Sequence, residues 1–198
     1  MVLPIVAYGD PVLRKETAEI PENDQAVLEL ISNMFDTMYA AEGVGLAAPQ
    51  IGKALRLFVI DASPFAENPE EDDDPKEVAF LKDFKRVFIN PIIIEEKGDE
   101  WGFHEGCLSM PGIREEVFRQ DEVHIEYFDE NWELKEEKLT GFAARVVQHE
   151  YDHIEGVLFT DHVSALKRRL LKRKLTEISK GEIDVRYRMR FPEQKKGR

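Results

Sequence analysis

The chain has 198 residues, 42% of them hydrophobic and 10% aromatic, so it is long and apolar enough to form one domain with a substantial core. Its formal net charge of -13 argues against nonspecific binding to nucleic acid by the protein body, and we expect no DNA partner. Because no apolar run reaches the length of a membrane-spanning helix, we expect no membrane partner.

The cysteine content and the amino terminus indicate a cellular compartment. Cys107 is the single cysteine, which excludes an intramolecular disulfide and favours a reducing environment. The first residues lack a basic start, and Pro4 breaks their short apolar run, so they do not resemble a signal peptide. We therefore expect a cytoplasmic protein.

Positive charge is concentrated near the C-terminus. Residues 166–198 contain 13 Lys and Arg against 4 Asp and Glu, whereas the preceding part of the chain is strongly acidic. We interpret residues 1–165 as the main domain and residues 166–198 as a basic helix and tail that extend the same domain.

The first half of the chain predicts one long helix, two strands and a loop. Apolar residues recur at helical spacing over about Asp24–Ala41, and Gly43 can end this helix. The β-branched and apolar runs 54–62 and 86–96 predict strands. Between them, the acidic and proline-containing segment 67–77 predicts a solvated loop.

The second half predicts a hairpin followed by two helices. Residues 122–141 alternate around a polar turn and predict a β-hairpin. After Gly141 the apolar period becomes helical, and Gly156 can end that helix. A last helix, about Ser164–Ser179, has an apolar stripe that we expect to face inward, formed by Leu166, Leu170, Leu171, Leu175 and Ile178. These elements predict an α+β fold, with hairpins and small mixed sheets packed around a central helix and with a C-terminal helix.

The central predicted helix contains the stretch "QHEYDH", which is typical of a metal site. His149 and His153 are four residues apart and therefore share a helix face, and Glu150 beside them can carry a proton. A catalytic metal needs a third protein ligand. In one class of zinc protease a third histidine follows, but Phe159 occupies that position and cannot ligate. In another class a later glutamate ligates, so an HExxH zinc endopeptidase that uses Glu177 is an alternative.

Cys107, in the stretch "EGCLS" between two glycine-containing turns, is a better candidate for the third ligand. A thiolate binds soft and borderline divalent metals strongly, and Cys107 with His149 and His153 leaves a fourth position open for water. A lone cysteine is more often a small buried residue, so this hypothesis rests on the joint pattern. A metal-binding module without catalytic activity is a further alternative. Three other histidines fit ordinary surface or structural positions: His104, His124 and His162.

A third motif indicates the family. The stretch "GVGLAAPQ", residues 43–50, precedes "EGCLS" and "QHEYDH", and the three motifs in this order resemble peptide deformylase up to about His162. The resemblance implies a metal-dependent hydrolase that removes the N-formyl group from the amino-terminal methionine of newly synthesised proteins. Nascent formyl-Met polypeptides are then the substrates. The resemblance also implies Fe2+ as the cofactor, for which zinc, nickel or cobalt can substitute.

The resemblance implies roles for residues around the metal. Glu150 would take a proton from water and pass it to the leaving amine. The side-chain amide of Gln50 and the backbone N–H of Leu108 would stabilise the developing oxyanion. Gly45, which lacks a Cβ, would let the substrate backbone approach closely. The apolar slot for the methionine side chain is expected from Val44, Phe142 and Val146.

Two further expectations concern the surroundings of the site. Asp152, between the ligand histidines, is expected to orient the helix or a neighbour by pairing with Arg119 or Arg114, and the resemblance favours Arg119. The basic face of the last helix suggests docking on the ribosome, with an ordinary solvated helix face as the alternative. The residues of this basic cluster are Lys167, Arg168, Arg169, Lys172, Arg173 and Lys174.

Overall fold

The computed structural model describes residues 1–67, 69 and 74–192. The α-helices in this part of the chain are α1 (Ala26–Ala40), α2 (Pro75–Lys82), α3 (Gly141–Ile154), α4 (Phe159–His162) and α5 (Ala165–Lys180). The strands are β1 (Ile5–Val6), β2 (Gly45–Ala47), β3 (Leu57–Asp61), β4 (Lys85–Cys107), β5 (Met110–Phe128), β6 (Leu134–Thr140) and β7 (Met189–Arg190). Among the described helices, none has the length and hydropathy needed to cross a lipid bilayer.

The strands form two sheets, and α3 packs on the larger one. Five antiparallel strands follow the order β2-β3-β4-β5-β6, and β1 pairs with β7 in a separate parallel sheet. Helix α3 contacts β2, β3, β5 and β6, and it buries Ala143, Ala144 and Val147 completely. The α+β prediction, with sheets around a central helix and a C-terminal helix, is confirmed.

The predicted first helix, first strand and hairpin agree with the structure except in their lengths. Helix α1 lies inside the predicted range, and the carboxylate of Asp24 accepts a hydrogen bond from the Ala26 N–H at 2.9 Å. Strand β3 begins at Leu57 rather than at residue 54. The predicted hairpin corresponds to the C-terminal half of β5 and to β6, which pair from Glu122 with Thr140 onward.

Strands β4 and β5 are much longer than predicted. Strand β4 continues past residue 96 to Cys107, so this cysteine ends a strand and does not lie between two turns as expected. The pairing of β4 with β5 shifts register several times, including between Lys97 and Glu100, beside Gly98 with φ of 89°. Each irregularity resets the alternation of inward and outward side chains, which removes the period-two pattern that sequence reasoning relies on.

The acidic segment is only partly the solvated loop that was predicted. Residues 68 and 70–73 lie outside the described part of the chain, but the end of the segment forms the first turn of α2, and the Asp74 carboxylate accepts a hydrogen bond from the Lys76 N–H at 2.9 Å. Glu77 accepts a hydrogen bond from the Phe142 N–H at 2.9 Å, so it caps the first turn of α3. The acidic segment thus supports the helix that carries the histidines.

Helix α5 is confirmed, but its predicted inward face is wrong in the first two turns. Leu175 and Ile178 are buried, whereas Leu166 is 68% and Leu170 73% exposed. Helical periodicity identifies an apolar stripe, but it does not show how much of the stripe other elements cover. Here the rest of the protein covers only the C-terminal half of the stripe. The division between residues 1–165 and 166–198 stays a prediction. The basic tail residues after 192 lie outside the described residues.

Candidate metal centre

The three expected ligand side chains converge between α3 and the end of β4. His149 and His153 lie one turn apart on α3, with ring centroids 5.2 Å apart. The Cys107 Sγ lies 3.3 Å from His153 Nε2, and one ligand atom from each residue lies within 4.8 Å of the others. Such a donor set suits zinc, iron, nickel or cobalt. Glu177, the alternative ligand, is not in this cluster and instead binds Arg173 at 2.9 Å on α5.

Glu105 lies behind His149 and was not identified from the sequence. It is 4% exposed, and its Oε2 accepts a hydrogen bond from His149 Nδ1 at 2.8 Å, which leaves His149 Nε2 free to ligate. Burial opposes ionisation, but the hydrogen bonds and charges of His149 and Arg119 outweigh it and hold the Glu105 pKa well below its ordinary value. Strand periodicity could not have identified it, because the pairing of β4 with β5 shifts register between Gly106 and Cys107.

Two buried arginines hold Glu105 in place. Arg119 donates from Nε at 2.7 Å and from Nη2 at 3.0 Å, and Arg145 donates from Nη1 at 3.0 Å. Arg145 lies one turn before His149 on α3, and its guanidinium lies 4.2 Å from the centre of the Trp101 ring. Two cations around one carboxylate fix its orientation and keep it ionised. Sequence reasoning assigned no role to Arg145.

Asp152 pairs with Arg119, as expected, and Arg114 instead lines the cavity described below. The Asp152 carboxylate accepts from Arg119 Nη1 at 2.8 Å and contacts His162 Nε2 at 2.7 Å. Burial would raise the Asp152 pKa, but the hydrogen bond from His162 and the charge of Arg119 lower it. The pair thus links α3 to β5 through the same arginine that holds Glu105.

Glu150 points toward the space beside the ligand cluster. It is 4% exposed, and its Oε2 has no hydrogen-bond partner among the described residues. Burial raises the Glu150 pKa to about 7, although the nearby charges of His149 and His153 oppose the rise. A Cβ added at Gly45 would overlap this carboxylate, so the missing side chain there makes room for Glu150. The sequence argument had explained this glycine only by access for the substrate.

Gln50 and Leu108 approach Cys107 from two sides. Gln50 belongs to the short helix Ala48–Ile51, and its Oε1 accepts from the Ala47 N–H at 2.8 Å, which directs its Nε2 to 3.4 Å from the Cys107 Sγ. Leu108 follows Cys107 in the turn between β4 and β5. Burial opposes ionisation of the Cys107 thiol, but the charge of His153 and the hydrogen bonds from His149 and His153 lower its pKa to about 5.

Most of these groups border one cavity of about 710 Å³, but the buried His153 is not part of its wall. Val44 and Val146 line it, as expected for an apolar slot. Phe142 does not line it, because its ring packs behind the wall at 5.0 Å from Phe65 and 5.3 Å from Phe103, which do. The other expected residues on the cavity wall are Gly45, Gln50, Cys107, Leu108, His149 and Glu150.

Part of the cavity wall lies at an edge of the main sheet. Strand β2 pairs with β3 on one side only, which makes it an edge strand, and Val44 and Gly45 on this edge line the cavity. An unpaired edge can accept an extended peptide as a further strand. The arrangement therefore offers a metal-ligand set, a buried carboxylate and amide donors beside a peptide-binding edge, which suits metal-assisted amide hydrolysis.

Comparisons with known proteins agree with this chemistry. A sequence model of the family described as polypeptide deformylase matches residues 2–169. Peptide deformylases from Christiangramia forsetii and Flavobacterium johnsoniae are 60% and 54% identical to the chain, in both cases over 100% of either chain. The crystal structure of a peptide deformylase from Legionella pneumophila matches with a TM-score of 0.76 and 37% identity, over 92% of this chain and 98% of that one. The chain belongs to the polypeptide deformylase family.

Proposed function

We propose that the cavity around Cys107, His149 and His153 is the catalytic site of this deformylase. The family hydrolyses the N-formyl group of amino-terminal methionine on nascent polypeptides, which releases formate and a free amino terminus, and this chain is a hydrolase of that kind. The observation that carries the proposal is the convergence of three ligand atoms, within 4.8 Å of one another, beside a cavity that Cys107, His149, Glu150 and Gln50 line.

The resident metal is proposed to be Fe2+, with zinc, nickel or cobalt as substitutes. Cys107, His149 and His153 would hold it, and Glu105 would keep His149 in the tautomer that ligates through Nε2. A bound divalent ion would lower the pKa of water toward neutrality and polarise a carbonyl oxygen. Three protein ligands would leave room for water on the ion, and the unpartnered Oε2 of Glu150 supports a site that also accommodates water.

Glu150 is the proposed proton carrier. Its raised pKa, about 7, lies near the range in which a carboxylate can take a proton and return it at neutral pH, and a positive ion beside it would favour the ionised form. It would take the proton of the attacking water and deliver it to the nitrogen of the departing amine. Its burial supports this role, because a sheltered carboxylate exchanges protons with its neighbour rather than with bulk water.

Gln50 and Leu108 are the proposed donors to the oxygen of the attacked formyl group. The Gln50 Nε2 lies 3.4 Å from the proposed ligand Cys107, and the Leu108 N–H belongs to the peptide bond that follows this cysteine. Losing one such donor costs about 2.7–4 kcal/mol of transition-state stabilisation. The hydrogen bond from the Ala47 N–H to Gln50 Oε1 supports the role, since it aims the amide before substrate binds.

The substrate backbone is proposed to pair with the edge of β2, with Gly45 opposite the first residue of the peptide. Val44 and Val146 are the proposed walls of the methionine slot, with Phe142 supporting that wall from behind through Phe65. An apolar slot of this kind favours an unbranched, flexible thioether side chain. Asp152 and Arg119 are proposed to hold α3 and Glu105 in place relative to each other, through hydrogen bonds of 2.7–3.0 Å.

One assay separates this function from its rivals. Anaerobically prepared protein loaded with Fe2+ is offered a formyl-Met peptide, the same peptide without the formyl group, and casein. We expect formate from the first and no cleavage of the other two. Cleavage of internal peptide bonds in casein would instead support an HExxH endopeptidase, and metal binding without turnover would support a binding module.

We also propose that the protein works in the cytoplasm and that α5 docks it on the ribosome. Nascent chains emerge there beside ribosomal RNA, and α5 exposes basic residues next to two uncovered leucines, Leu166 and Leu170. Lys167 and Lys174 instead contact β5, at Glu115 and Gly112. The cations of the cluster that contact no other element among the described residues are Arg168, Arg169, Lys172 and Arg173, the last of which pairs with Glu177 within α5.

The docking proposal is tested by ribosome co-sedimentation at several salt concentrations. Changing Arg168, Arg169, Lys172 and Arg173 to Gln is expected to weaken binding and to flatten its salt dependence by about 0.7–0.9 log units per log salt for each lost phosphate contact. The control removes the same charge from four exposed lysines elsewhere, namely Lys15, Lys53, Lys82 and Lys138. Equal binding by the two variants would leave α5 as an ordinary solvated face.

A further inference from the structure

The turn that follows Cys107 is held from outside the main sheet. The hydroxyl of Tyr187 donates a hydrogen bond to the carbonyl oxygen of Leu108 at 2.7 Å. The backbone N–H of Tyr8 donates to the next carbonyl, that of Ser109, at 2.9 Å. Two successive carbonyls of the turn between β4 and β5 therefore each bind a donor from a distant segment.

Both donors come from segments that flank the two-stranded sheet. In this sheet Ile5 of β1 pairs with Met189 of β7, and the Ile5 N–H donates to the Arg188 carbonyl at 2.9 Å. Tyr8 follows β1 by two residues, and Tyr187 precedes β7 by two. Because the sheet joins the two segments, it fixes both donors relative to each other and to the turn.

Tyr187 also forms part of the cavity wall. It is partly buried against the apolar cluster that contains Leu46, and it lines the same cavity as Cys107 and His149. Helix α5 holds the neighbouring rim, because Lys174 donates to the carbonyl oxygen of Gly112, which also lines the cavity. Helix α5 and Tyr187 thus contact the wall and the rim of the cavity and the turn between β4 and β5.

We propose that Tyr187 is a positioning residue of the catalytic site, and that residues 181–192 are an integral part of this site rather than a separable tail. The inference rests on the proposed role of the Leu108 N–H as a donor to the reacting oxygen. A backbone donor is effective only when its peptide is held where the charge develops. By holding the carbonyl of the same residue, Tyr187 restricts rotation of the turn and keeps that N–H in place.

The test removes the hydroxyl group alone. In full-length, metal-loaded Tyr187→Phe we expect kcat to fall about three- to tenfold, the effect of one lost hydrogen bond, with KM within about twofold of wild type. Metal content should be unchanged, since the hydroxyl hydrogen-bonds the Leu108 carbonyl oxygen and no ligand atom. The matched control is Tyr39→Phe, whose hydroxyl donates to Asp61 at 2.6 Å outside the cavity, and which should leave kcat and KM unchanged.

A second measurement does not depend on turnover. Hydrogen exchange of the Leu108 and Ser109 amides should be faster in Tyr187→Phe by about the same three- to tenfold factor, and unchanged in Tyr39→Phe. Unchanged exchange, a wild-type kcat, or a change confined to KM would each overturn the positioning role. If the wild-type protein released no formate, the proposed function would fail, and the exchange experiment would still decide whether Tyr187 holds the turn.

Discussion

Glu105 is the residue whose replacement should affect both stability and metal binding. In Glu105→Gln the carboxamide keeps the shape of the side chain but has only one acceptor oxygen. In the wild type, three residues donate to the two carboxylate oxygens, namely Arg119, Arg145 and His149. Removing one partner of a buried ion pair costs about 3–5 kcal/mol. We expect about 3 kcal/mol in the free energy of unfolding, the low end, because Arg119 keeps Asp152 while Arg145 loses its carboxylate.

The measurement is urea unfolding combined with metal titration. Beyond the loss of stability, metal affinity should fall about 10- to 100-fold, because His149 loses the acceptor that orients its ring. The control is Glu95→Gln, an exposed glutamate 3.7 Å from Lys97, which should change stability by less than about 0.5 kcal/mol. A Glu105→Gln protein within about 1 kcal/mol of wild type, with unchanged metal affinity, would refute this account of the network.

The contribution of Glu105 to the free energy of unfolding should also depend on pH in a defined direction. The folded-state pKa of Glu105 lies below its value in the unfolded chain, about 4.3. Its contribution to stability is therefore complete above that value and is lost as the pH falls through the folded-state pKa. The difference in the free energy of unfolding between wild type and Glu105→Gln should stay constant from neutral pH down to about pH 6 and should shrink in stronger acid.

Three other substitutions test the catalytic assignments. Cys107→Ala should lose most bound metal and formate release while remaining folded, and full occupancy by elemental analysis would contradict its role as a ligand. Glu150→Gln should keep its metal but lose at least about a hundredfold in turnover, whereas activity within a few-fold of wild type would argue against proton transfer. Gly45→Ala should also retain metal and lose turnover, because the new methyl group overlaps the Glu150 carboxylate. Its control is Gly106→Ala, where the added Cβ lies 3.4 Å from its nearest neighbour, and equal activity of the two variants would show that the overlap is harmless.

The ligand cluster could be predicted because its geometry is mostly local. One helical turn determines how His149 and His153 face each other, so their spacing alone indicates a shared metal. The choice of Cys107 needed only the chemistry of sulfur and the absence of a better ligand. The α+β fold class followed in the same way, from periodicity in individual segments.

Glu105 and Tyr187 were missed because their environments are made by residues far away in sequence. Glu105 meets Arg119, Arg145 and His149, which lie 14, 40 and 44 residues further along the chain. Tyr187 reaches Leu108 across 79 residues. No local sequence pattern predicts such long-range contacts. The part of β4 that carries Glu105 was itself not predicted, because β4 pairs irregularly with β5.

The pairing of β1 with β7 has a consequence for how the protein is made. During synthesis, Ile5 leaves the ribosome long before its partner strand at Met189. Closing so long a loop is entropically costly and slows folding, and β1 must wait for β7 before this sheet can form. The turn beside Cys107 therefore gains this support only after Met189 has been translated. An enzyme that acts on the first residue of other nascent chains thus completes its own site by joining its first strand to one that is translated long after it.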